Sequence, residues 1–335
     1  MQPDKIRLII GGYEFTELES MEIVSDLYDP SGSFRFVLGQ RVNAYSGARC
    51  LVYINGILEL TGIIGPVEET MEWGSHTWTV SGKSLISLVE RYYVTDWSNP
   101  PQTLAQAAWK YLSVIPMVQE LPWTIEGKDP AKRHARLDVG DTAFKLLNEL
   151  AQNRGLLFWA KANGSIVFGK AVGEGEASYH ITARNITKRR RVEDTSGLHS
   201  EVIIVSDSDD GHRKFTAKNS SVDLKIPFVA AYNGSDSAGM EKQAEAYLRQ
   251  EKMQCFQLEY DVAGFNLNGK NWAINTLVSV DDDAFDMTDT FLLRTRTFRY
   301  DKTTGSKTSL VLCPILAEDV FKAYAKRRKK EDAAW

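Results

Sequence analysis

Residues 137–170, LDVGDTAFKLLNELAQNRGLLFWAKANGSIVFGK, read as a strand, a helix and a hairpin in succession. Asp141 or Thr142 offers an N-cap oxygen, and Ala143, Leu146, Leu147, Leu150 and Ala151 then recur at three-and-four spacing, which draws one apolar stripe along a helix. That stripe must face a core. Gly155 stands just past the last apolar position, where a left-handed residue ends a helix without a Cβ clash. Two apolar runs, 156–159 and 166–168, flank Asn163-Gly164, a pair suited to a tight hairpin turn. The stretch brings together no nucleophile, base or metal ligand, so it reads as scaffold.

The flanking regions have a different texture. From 8 to 80 short apolar or alternating runs, such as 33–38, 50–54 and 57–64, are broken by Pro30-Ser31-Gly32, Asn55-Gly56 and Gly65-Pro66, which predicts strands joined by turns. Residues 82–93 read as helical, with Leu85, Leu88 and Val89 on one face, and Thr103 opens another helix through Ala107, Ala108 and Tyr111. After Gly175 the β texture returns. Strands are expected at 181–187, 201–205, 257–262, 276–280, 290–300 and 308–312, with a polar excursion or hairpin over 207–237 and a helix over 240–250 that turns Ala244, Tyr247 and Leu248 inward. Leu51-Val52-Tyr53-Ile54 resembles Leu277-Val278-Ser279-Val280, and each precedes a long hairpin. Duplication and chance similarity of two β units both fit this match.

A chain of 335 residues has room for roughly two domains, and 43% hydrophobic with 25% charged residues is ordinary globular composition. A net charge of −4 argues against nucleic acid as a general partner. The three cysteines, Cys50, Cys255 and Cys313, are far apart and predict buried small side chains rather than disulfides or a zinc site. The apolar run at 8–10 is too short for a signal peptide, and no stretch is long enough to span a membrane.

Several local patterns invite chemistry and fail a spacing test. Gly82-Lys83-Ser84 suggests a phosphate loop, but Thr77 stands where the first glycine is needed. Asp207, Asp209, Asp210 and Gly211 hint at a calcium loop, yet Lys218 occupies the twelfth position. His76, His134, His180, His199 and His212 have no metal-ligand spacing, and Glu68, Glu69 and Glu72 read as the solvent face of a hairpin. The basic runs 188–191 and 326–330 are short enough to be solvated or to meet an acidic protein surface. Trp73, Trp78, Trp97, Trp123, Trp159 and Trp272 are expected mainly in the core, although a carbohydrate-binding β module would expose some of them. No residue is assigned a catalytic, cofactor-binding or metal-ligating role.

Together, Gly82 to Val89, Val139-Gly140-Asp141-Thr142-Ala143-Phe144, Leu150-Ala151, Gly155-Leu156-Leu157 and Asn163-Gly164-Ser165-Ile166-Val167-Phe168 resemble the 43 kDa tail proteins of Mu-like phages and prophages. Val262-Ala263-Gly264-Phe265 with Trp272, Asn275, Leu277 and Val278 extends the resemblance to most of the chain. These are baseplate hubs of the late-control-protein group, similar to the hub of T-even phages and to the N-terminal part of type VI secretion spike proteins. The resemblance implies an α+β, mainly β fold with two β-barrel tube-like domains flanking and interleaved with smaller α/β domains. It places a first barrel at 1–96, a small α/β domain at 97–175, a second barrel at 176–205 and 256–320, an inserted hairpin and helix at 206–255, and a basic tail at 321–335. It further implies a homotrimer in the virion, assembled in the host cytoplasm, that joins a sixfold tail tube protein to a central spike protein of a contractile tail. A tail-associated cell-wall hydrolase and a carbohydrate-binding β module are the alternatives.

Overall fold

The computed structural model describes residues 4–96, 101–129, 138–208, 211–220, 222, 224–232 and 237–315. Its first region is an antiparallel sheet whose strands alternate inward apolar and outward polar side chains. β1 (Ile6–Ile10) buries Ile6, Leu8 and Ile10, and β2 (Tyr13–Phe15) folds back on it. β3 (Ser20–Asp26) and β4 (Ser33–Leu38) form a hairpin, and β5 (Arg49–Ile54) turns at Asn55-Gly56 into the long β6 (Ile57–Glu72). β7 (Ser75–Ser84) returns beside β6 and pairs with β4 on its other side.

The expected helix over 82–93 is shorter and later than the sequence suggests. Gly82 to Ser84 remain in β7, and α1 covers only Ser87–Arg91. A Cβ on Gly82 would lie 2.2 Å from the Ile63 carbonyl oxygen and 2.4 Å from Cζ of Phe34, so this glycine lets an aromatic ring press against the strand. Gly-Lys-Ser is thus a packing feature in a strand and not a loop.

The chain then enters an α/β insert. In α2 (Leu104–Leu112) the Thr103 hydroxyl accepts from the Gln106 amide and the Gln106 side chain accepts from the Thr103 amide, a capping box. β8 (Trp123–Ile125), α3 (Ala143–Gln152), β9 (Leu157–Ala160) and β10 (Ile166–Gly169) follow, with sheet order β8-β10-β9. Thr142 is the N-cap of α3, and all five residues of the apolar stripe are buried against the sheet. Gly155 has φ +68°, as the helix end requires. No strand precedes α3 at 138–141: Asp141 instead accepts from the Asp138 amide at 2.9 Å and closes a turn.

The second β region repeats this strand arrangement with an interruption. β11 (Tyr179–Thr182) and β12 (Ile186–Glu193) are separate strands where one was expected over 181–187, and the basic run 188–191 lies within β12 rather than beside a strand. β13 (Glu201–Ser208), β14 (Gly211–Lys218) and β15 (Pro227–Ala231) form their own sheet, capped by α4 (Ser237–Cys255), which is longer than the helix expected over 240–250. Val202, Ile204, Tyr232, Met240, Ala244 and Leu248 give this module its own core. Glu201 to Val205, which the boundary at 205 gives to the second barrel, therefore pair within the inserted module. The chain rejoins the main sheet in β16 (Phe256–Ala263) and forms a small hairpin from β17 (Asn266–Leu267) and β18 (Lys270–Asn271). It ends the described region in β19 (Leu277–Asp282), β20 (Met287–Asp301) and β21 (Gly305–Pro314).

One 13-stranded sheet unites the two regions. The first contributes the order β3-β4-β7-β6-β5-β1 and the second β12-β16-β21-β20-β19-β11, which is the same order in the same chain sequence. They differ in that β1 runs antiparallel to β5 whereas β11 runs parallel to β19. The correspondence extends to single residues: Ile64, Gly82 and Phe34 lie side by side across β6, β7 and β4, just before a bulge in β6. Leu293, Leu312 and Leu258 do so across β20, β21 and β16, just before a bulge in β20. The weak sequence match of 51–54 with 277–280 therefore marks a repeated topology. The fold is mainly β with one large sheet, and among the described residues the strand pairings close no barrel.

Candidate interaction surface

The two runs are joined where β3 pairs antiparallel with the C-terminal half of β20, from Ser20 opposite Asp301 to Asp26 opposite Thr295. Beneath this joint lies a buried polar centre. Arg296 on β20 donates to Glu59 on β6 at 2.6 Å and to Ser25 on β3 at 3.2 Å, and also to the Trp272 carbonyl. Asn271 donates to the other Glu59 oxygen at 2.8 Å, and the Arg296 guanidinium lies 4.1 Å from the centre of the Phe298 ring. The side chains of Arg296 and Glu59 are 6% and 7% exposed, so each neutralises a charge that water cannot reach. A cleft of about 630 Å³ opens beside them, between Ser25, Leu58, Lys161 and Asn271. Arg296 Nε and Asn271 Oδ1 are left without a hydrogen-bond partner, but the charge of the wall is paired internally, which suits a structural lock better than a substrate site.

The candidates singled out in the sequence are scattered over the surface. His76 contacts Glu69 at 2.7 Å and lies on Trp78, His180 meets Ser279, and His199 meets Glu251 at 2.8 Å. His134, Trp97, Asp209, Asp210 and the basic run 326–330 lie outside the described residues, as do the side chains of Asp207 and His212. Among the described residues no group of three or more His, Cys, Asp or Glu is arranged to hold a metal ion, and no helix is long and apolar enough to cross a membrane. The cysteines are buried as expected. Burial pushes the Cys313 thiol up to about 12 and the Cys255 thiol, with help from Glu251, up to about 11. Neither is a thiolate at neutral pH.

What the molecule does present is strand edge. β12 pairs with β16 alone among the described residues, and carries Lys188, Arg189, Arg190 and Arg191. Arg190 reaches Glu259 at 2.6 Å and Arg189 reaches the buried Asp282 at 3.2 Å. At the other run, β5 covers β6 only as far as Ile63, and residues 65–72 extend beyond it into a hairpin with β7. Glu68, Glu69 and Glu72 lie on that extension, and Met71 and Trp73 near its tip are 69% and 105% exposed. Trp78, Trp159 and Trp272 are buried, which is where the core expectation put them. Sequence periodicity could not reveal the joint, because the alternation of a strand does not say which strand it pairs with.

Residues 5–84 match the family model described as Mu phage baseplate assembly protein GpP-like, N-terminal. The chain is 24% identical over 339 aligned positions to the baseplate hub protein gp44 of Escherichia phage Mu, covering 92% of this chain and 87% of that protein. Its fold matches a tail protein from Neisseria meningitidis MC58 with a TM-score of 0.83, at 27% identity, over 93% of this chain and 96% of that one. The 43 kDa tail protein of prophage MuSo2 from Shewanella oneidensis matches with a TM-score of 0.79 at 20% identity, over 94% and 98% of the two chains. The Mu-like resemblance drawn from the sequence is thus borne out.

Proposed function

We infer that this chain is a structural baseplate hub protein of a Mu-like phage tail, and that three copies form an adaptor between a sixfold tube protein and a threefold central spike of a contractile tail. The observation that carries the hub role is similarity to the Mu hub protein over nine-tenths of the chain, together with the fold shared with Mu-like tail proteins. The repeated strand order supports the adaptor. A threefold object can meet a sixfold one when each chain offers two similar surfaces, and two copies of one strand order in each of three chains supply six. In this reading each run is one tube-like β domain, 1–96 and 176–320, and the insertions 97–175 and 206–255 decorate the ring, although β13 extends the second insertion back to 201. The chain works by shape and edge pairing, not by turnover of a substrate, and is assembled into the tail in the host cytoplasm.

Native mass spectrometry of the purified chain is expected to give three times 37.7 kDa. A monomer or dimer at high protein concentration would overturn the trimer. Phage lacking the protein should fail to assemble tails. Normal tails without it, or hydrolysis of a cell-wall substrate by the isolated chain, would overturn the hub role.

A further inference from the structure

The β3–β20 joint brings together two positions of the repeated order. β3 is the outer strand of the first run, and β20 is the strand of the second run left half-covered by its neighbour. β19 pairs with β20 only from Met287 to Leu292, which frees the rest of that side for β3. Backbone bonds extend the joint from the Leu27 amide to the Arg294 carbonyl and from the Lys302 amide to the Glu19 carbonyl, both at 3.0 Å. The same two positions exist a second time. β12 corresponds to β3, and residues 65–72 of β6 correspond to the part of β20 that receives β3. Among the described residues neither has a strand partner on that side. The chain thus uses one of its two donor strands and one of its two acceptor stretches.

The charges at the two sets are opposite in sense. In the internal joint the donor is acidic, with Glu19, Glu22 and Asp26, and the acceptor is basic, with Arg294, Arg299 and Lys302. Arg299 meets Glu22 at 2.8 Å and Lys302 meets Glu19 at 2.7 Å. In the unused set the donor β12 carries Lys188, Arg189, Arg190 and Arg191 against a single Glu193, while residues 65–72 carry Glu68, Glu69 and Glu72 and no cation.

We propose that β12 of one copy pairs antiparallel with residues 65–72 of the next copy, repeating the β3–β20 joint with its charges exchanged. This rests on the trimeric reading and gives that trimer its contact. The register follows from the equivalent residues: Ile23 pairs with Phe34 and Arg191 with Leu258, so Arg191 takes the place of Ile23. Counting on from Ile64 and Leu293, Glu69 takes the place of Phe298, which faces Ile23. Arg191 then lies opposite Glu69, Arg190 opposite Thr70, and Lys188 opposite Glu72. Exchange of charge also decides which strand goes where. β12 on β20 would set cations against cations, and β3 on β6 carboxylates against carboxylates, so the two runs must alternate around the ring. Three internal joints and three between copies close it, and the strand edges are paired without inviting a fourth chain.

The test begins with Thr70→Cys combined with Arg190→Cys in the full-length chain, whose own cysteines are buried. Mild oxidation is expected to give a reducible covalent trimer on a denaturing gel. The second variant is Glu68→Lys/Glu69→Lys/Glu72→Lys, expected to raise the concentration at which the trimer dissociates by about tenfold or more while leaving the circular dichroism melt unchanged. Adding Lys188→Glu and Arg190→Glu to that variant should restore assembly, which a merely damaged hairpin would not allow. A trimeric wild type whose cysteine variant does not cross-link and whose charge-reversed variant assembles unchanged would overturn the joint and leave the trimer standing. A wild-type monomer at every concentration would overturn both.

Discussion

The two β runs share one strand order, yet they treat the same step of it differently. From β3 to β4 the first run passes through residues 27–32, while from β12 to β16 the second takes residues 194–255 and builds a complete module on the way. Both connections leave the sheet from an outer strand, where added chain disturbs no ladder and the entropy of a longer loop grows only slowly. The outer strands themselves also differ. β3 buries Met21 and Ile23, because β20 covers it, whereas β12 presents Arg189 and Arg191 at the corresponding positions. Position in the topology sets the backbone, and whether a neighbour within the same chain covers it sets the side chains.

The largest expected effect breaks the lock between the runs. Arg296→Met leaves Glu59 buried without its cation, and loss of one partner of a buried pair typically costs about 3–5 kcal/mol. Arg299→Met, on the solvent side of the same joint where both partners are 45% and 47% exposed, is expected to cost less than about 1 kcal/mol. Urea unfolding of the two variants checks the contrast. Equal losses would show that the joint is held by its ladder and not by the centre beneath it.

A change of intermediate size concerns volume. Phe34 beside Gly82 in the first run corresponds to Leu258 beside Leu312 in the second, so a ring and an absent side chain replace two leucines. Gly82→Ala would force a methyl against the Ile63 carbonyl and Phe34, with an expected loss of about 1–3 kcal/mol in thermal unfolding. Gly82→Ala with Phe34→Leu should recover part of that loss. No recovery would mean that the backbone approach, and not the ring, demands the glycine.

These same positions show what could be read in advance. The stripe of α3, the capping residue Thr103 and the turns at Asn55-Gly56 and Asn163-Gly164 are local signals, and the chain obeys them because neighbouring residues alone decide them. Gly82 misled the reading of 82–93, since glycine before an apolar run looks like a helix start when the ring that requires it lies far away in sequence. β12 was hidden for the opposite reason: its cations break the apolar alternation that marks a strand, and among the described residues no strand covers its outer side. The Arg296–Glu59 centre joins residues 237 positions apart and left no local trace.

The smallest effect separates the runs by pH. Val37 in β4 corresponds to Asp261 in β16, so the second run has a carboxylate where the first has a methyl-bearing side chain. Partial burial would raise the Asp261 pKa, but Ser309 at 2.5 Å, Lys307 at 3.1 Å and the nearby Lys188 outweigh it and hold the group below its ordinary value. A carboxyl with a depressed folded-state pKa stabilises fully above its unfolded value near 3.8, and that contribution is lost as pH falls through the folded value. Asp261→Asn keeps the shape and one acceptor but removes the charge. It is expected to cost no more than about 1 kcal/mol at pH 7 and progressively less as pH drops below about 4. Melting curves of the two proteins across that range should therefore converge in acid. A difference that stays constant with pH would mean that Asp261 acts through hydrogen bonding alone, and that β12 is held to β16 by its ladder without help from Lys188.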